Sequence, residues 1–387
     1  MTKLISILGS TGSIGLTTLK VLNKKKNYFK PYFFSANKNI GLISHQIKKY
    51  KPTYFLINDN RVYRKIKKKF KNNKVEIINN LELSYLKKNS DITVVGIPGI
   101  AALYPTVLMI KKSKKILIAN KESIICGWDL INKFSKKYKT KLIPVDSEHF
   151  SISKLLENSK LNEIEKVYLT ASGGPFLNFK ASQLKKIKPE NALKHPRWKM
   201  GKKITIDSST LMNKILEYIE AQKLFNLPKE KLDILIHPES LVHAVVKFKN
   251  GITKFIYHET SMIVPIANAI FEKNLSINNF YKTKNTIKSL TFKKPNKNNF
   301  PIIKILNKVN EYPSTSIIIN ASNEVLVDHF LRKKLPFMGI HLVISKILRD
   351  RNYRKYAIRK PKDFIQINKI NLWAKKKTIE LIRKKYG

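Results

Sequence analysis

The sequence of 387 residues has a single cysteine, Cys126. That excludes an internal disulfide and fits a reducing compartment. The stretch around it, SIICGW, is apolar and suits packing better than nucleophilic attack. Long apolar runs are missing too. None approaches the ~18 residues of a membrane span, so no membrane partner is expected. The start, MTKLISILGS, enters a strand pattern at once without a signal-peptide layout, and a cytoplasmic location is the expectation. Acids are scarce: Asp and Glu number 26 against 76 Lys and Arg, a formal net charge of +50. Such a balance ordinarily points to nucleic acid or an anionic membrane. Here the basic residues are scattered, as at Lys24 to Lys26, Lys67 to Lys69 and Lys136 to Lys137, on the polar faces of predicted helices. Lys far exceeds Arg, and Asn, Ile, Tyr and Phe are abundant, a pattern of drift toward AT-rich codons. No nucleic-acid partner is expected, and an anionic substrate or cofactor accounts for part of the charge. What remains is ordinary: 43% hydrophobic and 10% aromatic residues, enough for two or three domains with real cores.

KLISILGSTGSIGLTTLKVLNK reads as a buried strand, a glycine turn and an amphipathic helix. YFFSAN, TYFLIND, VEIIN, ITVVGIPG, KILIAN and KLIPVD follow as strands alternating with helical stretches. This alternation predicts an α/β fold with a Rossmann-like, doubly wound sheet ending near Asp146. EKVYLTAS, DILIHPES, LVHAVVKF and ITKFIYH predict a second sheet in a central α+β region, interrupted by the helix LMNKILEYIEAQKLF. The polar stretch KTKNTIKSLTFKKPNKNNFP reads as a linker, and the rest, from about Ile302, as mainly helical. There is no internal repeat.

GSTGSIG places Gly9, Gly12 and Gly15 between strand and helix, a variant of the dinucleotide fingerprint. Glycine lets the backbone approach a pyrophosphate, and the helix N-terminus supplies N–H groups. An NAD site usually carries an acid at the end of the second strand to hold the ribose hydroxyls. Here that strand ends SANKN, without an acid and with Lys38 able to pair with a 2′-phosphate, so NADP is expected.

PVDSEHF sets Asp146, Glu148 and His149 after a strand, where open α/β sheets bind ligands. In extended backbone Asp146 and Glu148 would point to one side, as a Mg²⁺ or Mn²⁺ site requires. A solvated turn and an acid/base pair remain open on these residues alone. A helix is predicted from about Thr210, with Asp207, Ser208, Ser209 and Thr210 as capping types. On it Asn213 and Glu217 are i, i+4 and Lys214 and Glu217 are i, i+3, a set that suits a phosphate beside a metal. An ordinary capped helix with a Lys–Glu pair is the alternative. TASGGPF ends in a turn whose amides and Ser172 hydroxyl can cradle an anion. HPRWKMGKK, with His195, Trp198 and Gly201, reads as a loop that closes over a ligand. NKES, Asn120 to Ser123, follows a strand where cofactor and substrate would meet. His243 reads as a packed histidine.

In order, GSTGSIG, ANKES, PVDSEH, SGGPF, HPRWKMGKKITIDSSTLMNK, LEYIEA, IHPES and NASNE span nearly the whole chain. They closely resemble the motifs of the 1-deoxy-D-xylulose 5-phosphate reductoisomerase family, of the methylerythritol phosphate route to isoprenoids. The resemblance implies a homodimer with an NADPH-binding domain over residues 1–146, a catalytic metal and substrate domain over 147–281, a linker over 282–301 and a helical domain over 302–387. It implies NADPH contacts from Thr11, Gly12, Ser13, Ile14, Asn37, Lys38, Asn39, Asn120, Glu122 and Gly201. It implies Mn²⁺ or Mg²⁺ on Asp146, Glu148 and Glu217. Around a small phosphorylated sugar it implies Lys121, Ser147, Glu148, Ser172, His195, Trp198, Ser208, Asn213, Lys214 and Glu217, with Lys121 and the three acids catalytic. Two positions depart from the family pattern: Asn37 stands where Gly is common, and Ile215 where a small residue is usual. A semialdehyde or homoserine dehydrogenase is the rival, sharing the glycine turn without needing three carboxylates.

Overall fold

The structure is a computed structural model that describes residues 2–198, 200–272, 275–280 and 289–387. Lys199 of HPRWKMGKK and residues 282–288 of the predicted linker lie outside the described residues. The chain divides into two compact units. One comprises Met1–Ser123, Asp129–Phe150 and Ser261–Asn285; the other comprises Ile124–Trp128, Ser151–Thr260 and Thr286–Gly387.

The first unit is built on seven strands: β1 (Lys3–Leu8), β2 (Phe29–Ala36), β3 (Tyr54–Ile57), β4 (Glu76–Ile78), β5 (Ser90–Val95), β6 (Ser113–Ile118) and β7 (Lys141–Pro144). All pairings are parallel, in the order β4-β3-β2-β1-β5-β6-β7. The strands are near-continuous apolar runs because helices cover both faces of such a sheet. The helices that follow them are α1 (Ser13–Asn23), α2 (Ile40–Tyr50), α3 (Asn60–Lys69), α4 (Leu103–Ile110), α5 (Lys121–Lys137) and α6 (Ser147–Leu155). Strand order reverses between β1 and β5, and Gly9 stands directly after β1 at this switch point, where doubly wound folds bind nucleotides.

The sequence reading closed this unit near Asp146, yet a later helix, α11 (Ile263–Phe271), belongs to it. Ile266, Ala267, Ala269 and Ile270 join the core formed by Ile5, Leu19 and Leu22. Lys115 of β6 anchors the helix end, its Nζ donating to Ala269 O at 2.9 Å and to Glu272 Oε1 at 3.0 Å. The loss of apolar packing, at about 25 cal/mol per Å² buried, would be the main cost of detaching this helix.

The second unit holds β8 (Ile164–Ala171), β9 (Leu232–Ile236), β10 (Val242–Phe248) and β11 (Thr253–Tyr257) in the order β11-β10-β8-β9. β8 and β9 run parallel, and β10 is antiparallel to both its neighbours. Its helices are α7 (Ala181–Leu184), α8 (Pro189–Ala192), α9 (Lys202–Ser209), α10 (Met212–Phe225), α12 (Thr315–Leu331), α13 (Gly339–Ile347), α14 (Tyr353–Ala357) and α15 (Phe364–Tyr386). The part of the predicted linker that is described pairs with this unit: Lys293 forms a two-way backbone bridge with Ile236. Among the described residues no helix is long and apolar enough to cross a membrane.

Candidate active site

The glycine turn of the first unit is fixed from beneath. Gly9 takes φ +81°, and the amides of Gly9 and Ser10 both donate to Ser35 O, at 3.1 and 2.8 Å. The buried Gln46 of α2 grips Ser10 twice: its Oε1 accepts from Ser10 Oγ at 2.6 Å and its Nε2 donates to Ser10 O at 2.9 Å. A Cβ on Gly15 would stand 2.5 Å from Gly9 O and from Ser10 Cα, so the helix start lies directly against the turn. α1 has Gly12 as its N-cap and no capping side chain, which leaves its first turn suited to an anion. Thr11, Gly12, Ser13 and Ile14 form this turn and the start of α1. Asn37 and Lys38 are exposed after β2, and Asn39 caps α2 through Leu42 N at 3.0 Å. The acid that follows β3, Asp59, is engaged by the amides of Arg61 and Val62, at 3.0 Å each.

Asn120 organises the next corner of the same unit. Its Oδ1 accepts from Ser123 N at 2.8 Å, capping α5, while its Nδ2 donates to Ile97 O, Gly99 O and Glu122 Oε2. Lys121, one residue on, reaches Asp146 Oδ2 at 3.2 Å. The expectation that Asp146 and Glu148 share an extended segment is corrected here. The backbone turns into α6 at Ser147, because Asp146 heads that helix: its Oδ1 accepts from Glu148 N at 3.3 Å and its O from Phe150 N at 2.8 Å. The two acids are gathered by a helix start rather than by alternation along a strand. Ser147 Oγ donates to Glu148 Oε2 at 2.6 Å, and buried His149 places Nδ1 3.6 Å from Asp146 Oδ1. Burial pushes the Asp146 carboxyl up, but the Lys121 ammonium and the His149 contact outweigh it and hold the group below the usual carboxylate range. An ionised oxygen donor set of this kind fits a hard divalent cation.

In the second unit, Gly173 and Gly174 take φ +79° and +63°, and Gly174 N donates to Ser172 Oγ at 3.1 Å. Ser172 Oγ and Ser208 Oγ each lie 3.1 Å from His195 Nε2. The other ring nitrogen, Nδ1, accepts from Arg197 N at 3.2 Å and Trp198 N at 2.9 Å. Two amides aimed at Nδ1 leave the proton of the neutral ring on Nε2, facing the hydroxyls. Burial and then the nearby Lys214 ammonium lower the His195 pKa to about 4, so the ring is neutral at pH 7. Trp198 stands edge-on to buried His243 at 6.0 Å, and His243 stacks on His258 at 4.0 Å, a packed histidine as expected.

The predicted capped helix from Thr210 is corrected as well. Asp207, Ser208 and Ser209 form the last turn of α9, which starts after Gly201. Buried Leu211 then adopts φ +66° and breaks the chain into α10. No glycine or proline marks that break, so no sequence signal announced it. On α10, Glu217 is 1% exposed and is held by Asn213 Nδ2 and by Lys214 Nζ, the latter at 2.5 Å. Within one unit, then, Asn120, Lys121, Glu122, Asp146, Ser147 and Glu148 come together. Within the other, Ser172, His195, Trp198, Ser208 and Lys214 do, with Asn213 and Glu217 beside Lys214. Gln46 went unnoticed in the sequence, Asp207 was read there only as a capping residue, and Asn323 only as part of NASNE.

The chain is similar to known proteins along its length. The family model for 1-deoxy-D-xylulose 5-phosphate reductoisomerase matches residues 5–127, that for its C-terminal domain residues 142–225, and that for the DXP reductoisomerase C-terminal domain residues 258–377. The 1-deoxy-D-xylulose 5-phosphate reductoisomerase of Pelagibacter ubique is 43% identical over 95% of this chain and 97% of its own. The structure of the Zymomonas mobilis enzyme in complex with NADPH superposes with a TM-score of 0.88 at 28% identity, covering 99% of each chain. A DOX-P reductoisomerase in complex with NADPH, fosmidomycin and magnesium gives a TM-score of 0.90 at 27% identity over 98% of each chain. Matches of this length, on motifs whose side chains gather in both units, establish that the chain belongs to the 1-deoxy-D-xylulose 5-phosphate reductoisomerase family.

Proposed function

We propose that this chain converts 1-deoxy-D-xylulose 5-phosphate to 2-C-methyl-D-erythritol 4-phosphate, using NADPH and a divalent cation, Mg²⁺ or Mn²⁺, in the supply of isoprenoid precursors. The observation that carries the reading is the Ser172–His195–Ser208 cluster beside Lys214, a set of neutral donors and one cation suited to a phosphate dianion. His195 donates a hydrogen bond from its Nε2–H to a phosphate oxygen, and the two serine hydroxyls and Asn213 complete the grip. Binding there holds the non-reacting end of the substrate and orients the other end. Lys121 keeps Asp146 ionised and positions the substrate oxygens together with Ser147. Asp146, Glu148 and Glu217 hold the cation, and Thr11 to Ile14, Asn37 to Asn39, Asn120, Glu122 and Gly201 receive NADPH. When bound, the cation supplies Lewis-acid polarisation of the substrate oxygens and NADPH supplies the hydride. Trp198 lies on the loop that shields the site from water.

Two wider assignments accompany this reading. The chain acts as a homodimer, supported by β11, an open edge strand among the described residues, where Phe255 and the preceding Ile252 are exposed. It works in the cytoplasm, a reading supported by a single cysteine, which allows no internal disulfide.

The direct test is NADPH absorbance followed with deoxyxylulose phosphate. Turnover is expected only with Mg²⁺ or Mn²⁺ present, is expected to stop on chelation and to return when the cation is restored. Metal-independent oxidation, or none under any condition, would return the question to the plain dehydrogenases.

A further inference from the structure

The segment NASNE in α12 has no role in the reading above, yet it is among the most buried polar stretches of the chain. Asn320 and Asn323 are both 0% exposed and Ser322 is 1% exposed. Asn323 Nδ2 donates to Asp207 Oδ1 at 2.7 Å. Asp207 is itself 1% exposed, and its Oδ2 accepts from Lys203 Nζ at 2.8 Å. A carboxylate this deep is tolerated only when its oxygens are engaged.

The two donors differ in what they fix. Lys203 sits on α9 with Asp207, so it moves with that helix. Asn323 sits on α12, so its hydrogen bond ties α9 to another element. The next residue after Asp207 is Ser208, whose hydroxyl must stay 3.1 Å from His195 Nε2. The rest of α12 shows the same habit: Ser316 Oγ donates to Ile125 O at 3.1 Å. The pair is not arranged for stability alone. Asn323 Oδ1 is buried without a hydrogen-bond partner among the described residues, a cost that an apolar side chain would avoid.

We propose that Asn323, acting through the buried carboxylate of Asp207, is a positioning residue that sets where Ser208 stands for the substrate phosphate. The inference rests on the assignment of Ser208 to that phosphate. Neither Asn323 nor Asp207 touches the substrate; both act through the end of α9.

Steady-state kinetics of the full chain with NADPH, Mg²⁺ and deoxyxylulose phosphate test it, with Asn323→Ala, Asp207→Asn and the exchanged pair D207N/N323D. Each single variant is expected to raise KM for the sugar phosphate about tenfold while kcat changes less than about threefold, as for a lost positioning contact. KM for NADPH is expected to stay at the wild-type value. The exchange restores an amide–carboxylate bond at the same place, so the pair is expected to recover most of the loss, a coupling that independent sites do not show. The proposal is overturned by an unchanged sugar-phosphate KM in Asn323→Ala, by equal rises in both KM values, or by an exchanged pair no better than the singles. Should Asn323→Ala not fold, Asn323→Ser carries the same reading. Ser208→Ala separates the two levels: if it leaves the sugar-phosphate KM untouched, the phosphate assignment fails and this inference falls with it. If only the Asn323 variants are silent, the assignment stands and the inference alone is lost.

Discussion

His195 illustrates how a single residue acquires its function from its surroundings. Two loop amides occupy Nδ1, two hydroxyls face Nε2, and burial with Lys214 nearby lowers the pKa from 6.5 to about 4. The unfolded chain takes up a proton at this ring below about pH 6.5, whereas the folded chain refuses it until about pH 4. The stabilising contribution of the neutral ring is therefore complete above the unfolded pKa and is lost as pH falls from 6.5 toward 4. His195→Gln keeps a donor near the Nε2 position and cannot titrate. Its melting temperature is expected to fall less steeply with acid across that window than the wild type's. Identical slopes would mean that the ring already titrates normally in the folded protein. The sequence made His195 a candidate through its motif, but the tautomer was not legible there. It depends on which amides of its own loop turn back on the ring.

At the level of elements, the strands were the most legible feature, because a parallel sheet covered on both faces demands unbroken apolar runs and KLISIL, YFLI and ITVV supply them. Breaks between helices were not. Leu211 turns the chain with a left-handed backbone that leucine rarely adopts, so Asp207 and Ser208 were read as helix caps when they end a helix. The return of α11 to the first unit was equally silent, since the core residues and the lysine that hold it lie far earlier in the chain. Where local signal and tertiary demand coincide, as in GSTGSIG, a prediction is sharp. Gly15→Ala would place a methyl group against backbone atoms of Gly9 and Ser10 that no side-chain rotation can move aside. The turn must open, at about 1–3 kcal/mol of overpacking strain. Thermal melts are expected to show that loss. NADPH titrations by fluorescence are expected to show a Kd at least about tenfold weaker, since the turn and the first amides of α1 shift together. An alanine variant that binds NADPH as the wild type does would remove the turn from the cofactor site.

For the whole molecule, the dominant quantity is the net charge of +50. Two copies carrying it repel, so a homodimer needs apolar contact to offset the repulsion. The edge strand β11 has that character: among the described residues it pairs with β10 alone, Phe255 on it is 48% exposed, and Ile252 just before it is 51% exposed. Unpaired edges with exposed apolar side chains associate readily, and a second copy of the same strand gives a closed, two-fold arrangement. The balance predicts an unusual salt response. An interface held by ion pairs weakens as salt rises, whereas one that joins two strongly like-charged bodies through apolar strands tightens as the repulsion is screened. Light scattering is therefore expected to show more dimer at about 0.3 M salt than at about 0.05 M, where the screening length is longer. Phe255→Glu is expected to shift the protein toward monomer at both concentrations, since a charge now sits where apolar contact was needed. A dimer that dissociates as salt rises would mean that pairs of opposite charge hold it. A Phe255→Glu protein that stays fully dimeric would place the interface away from β11.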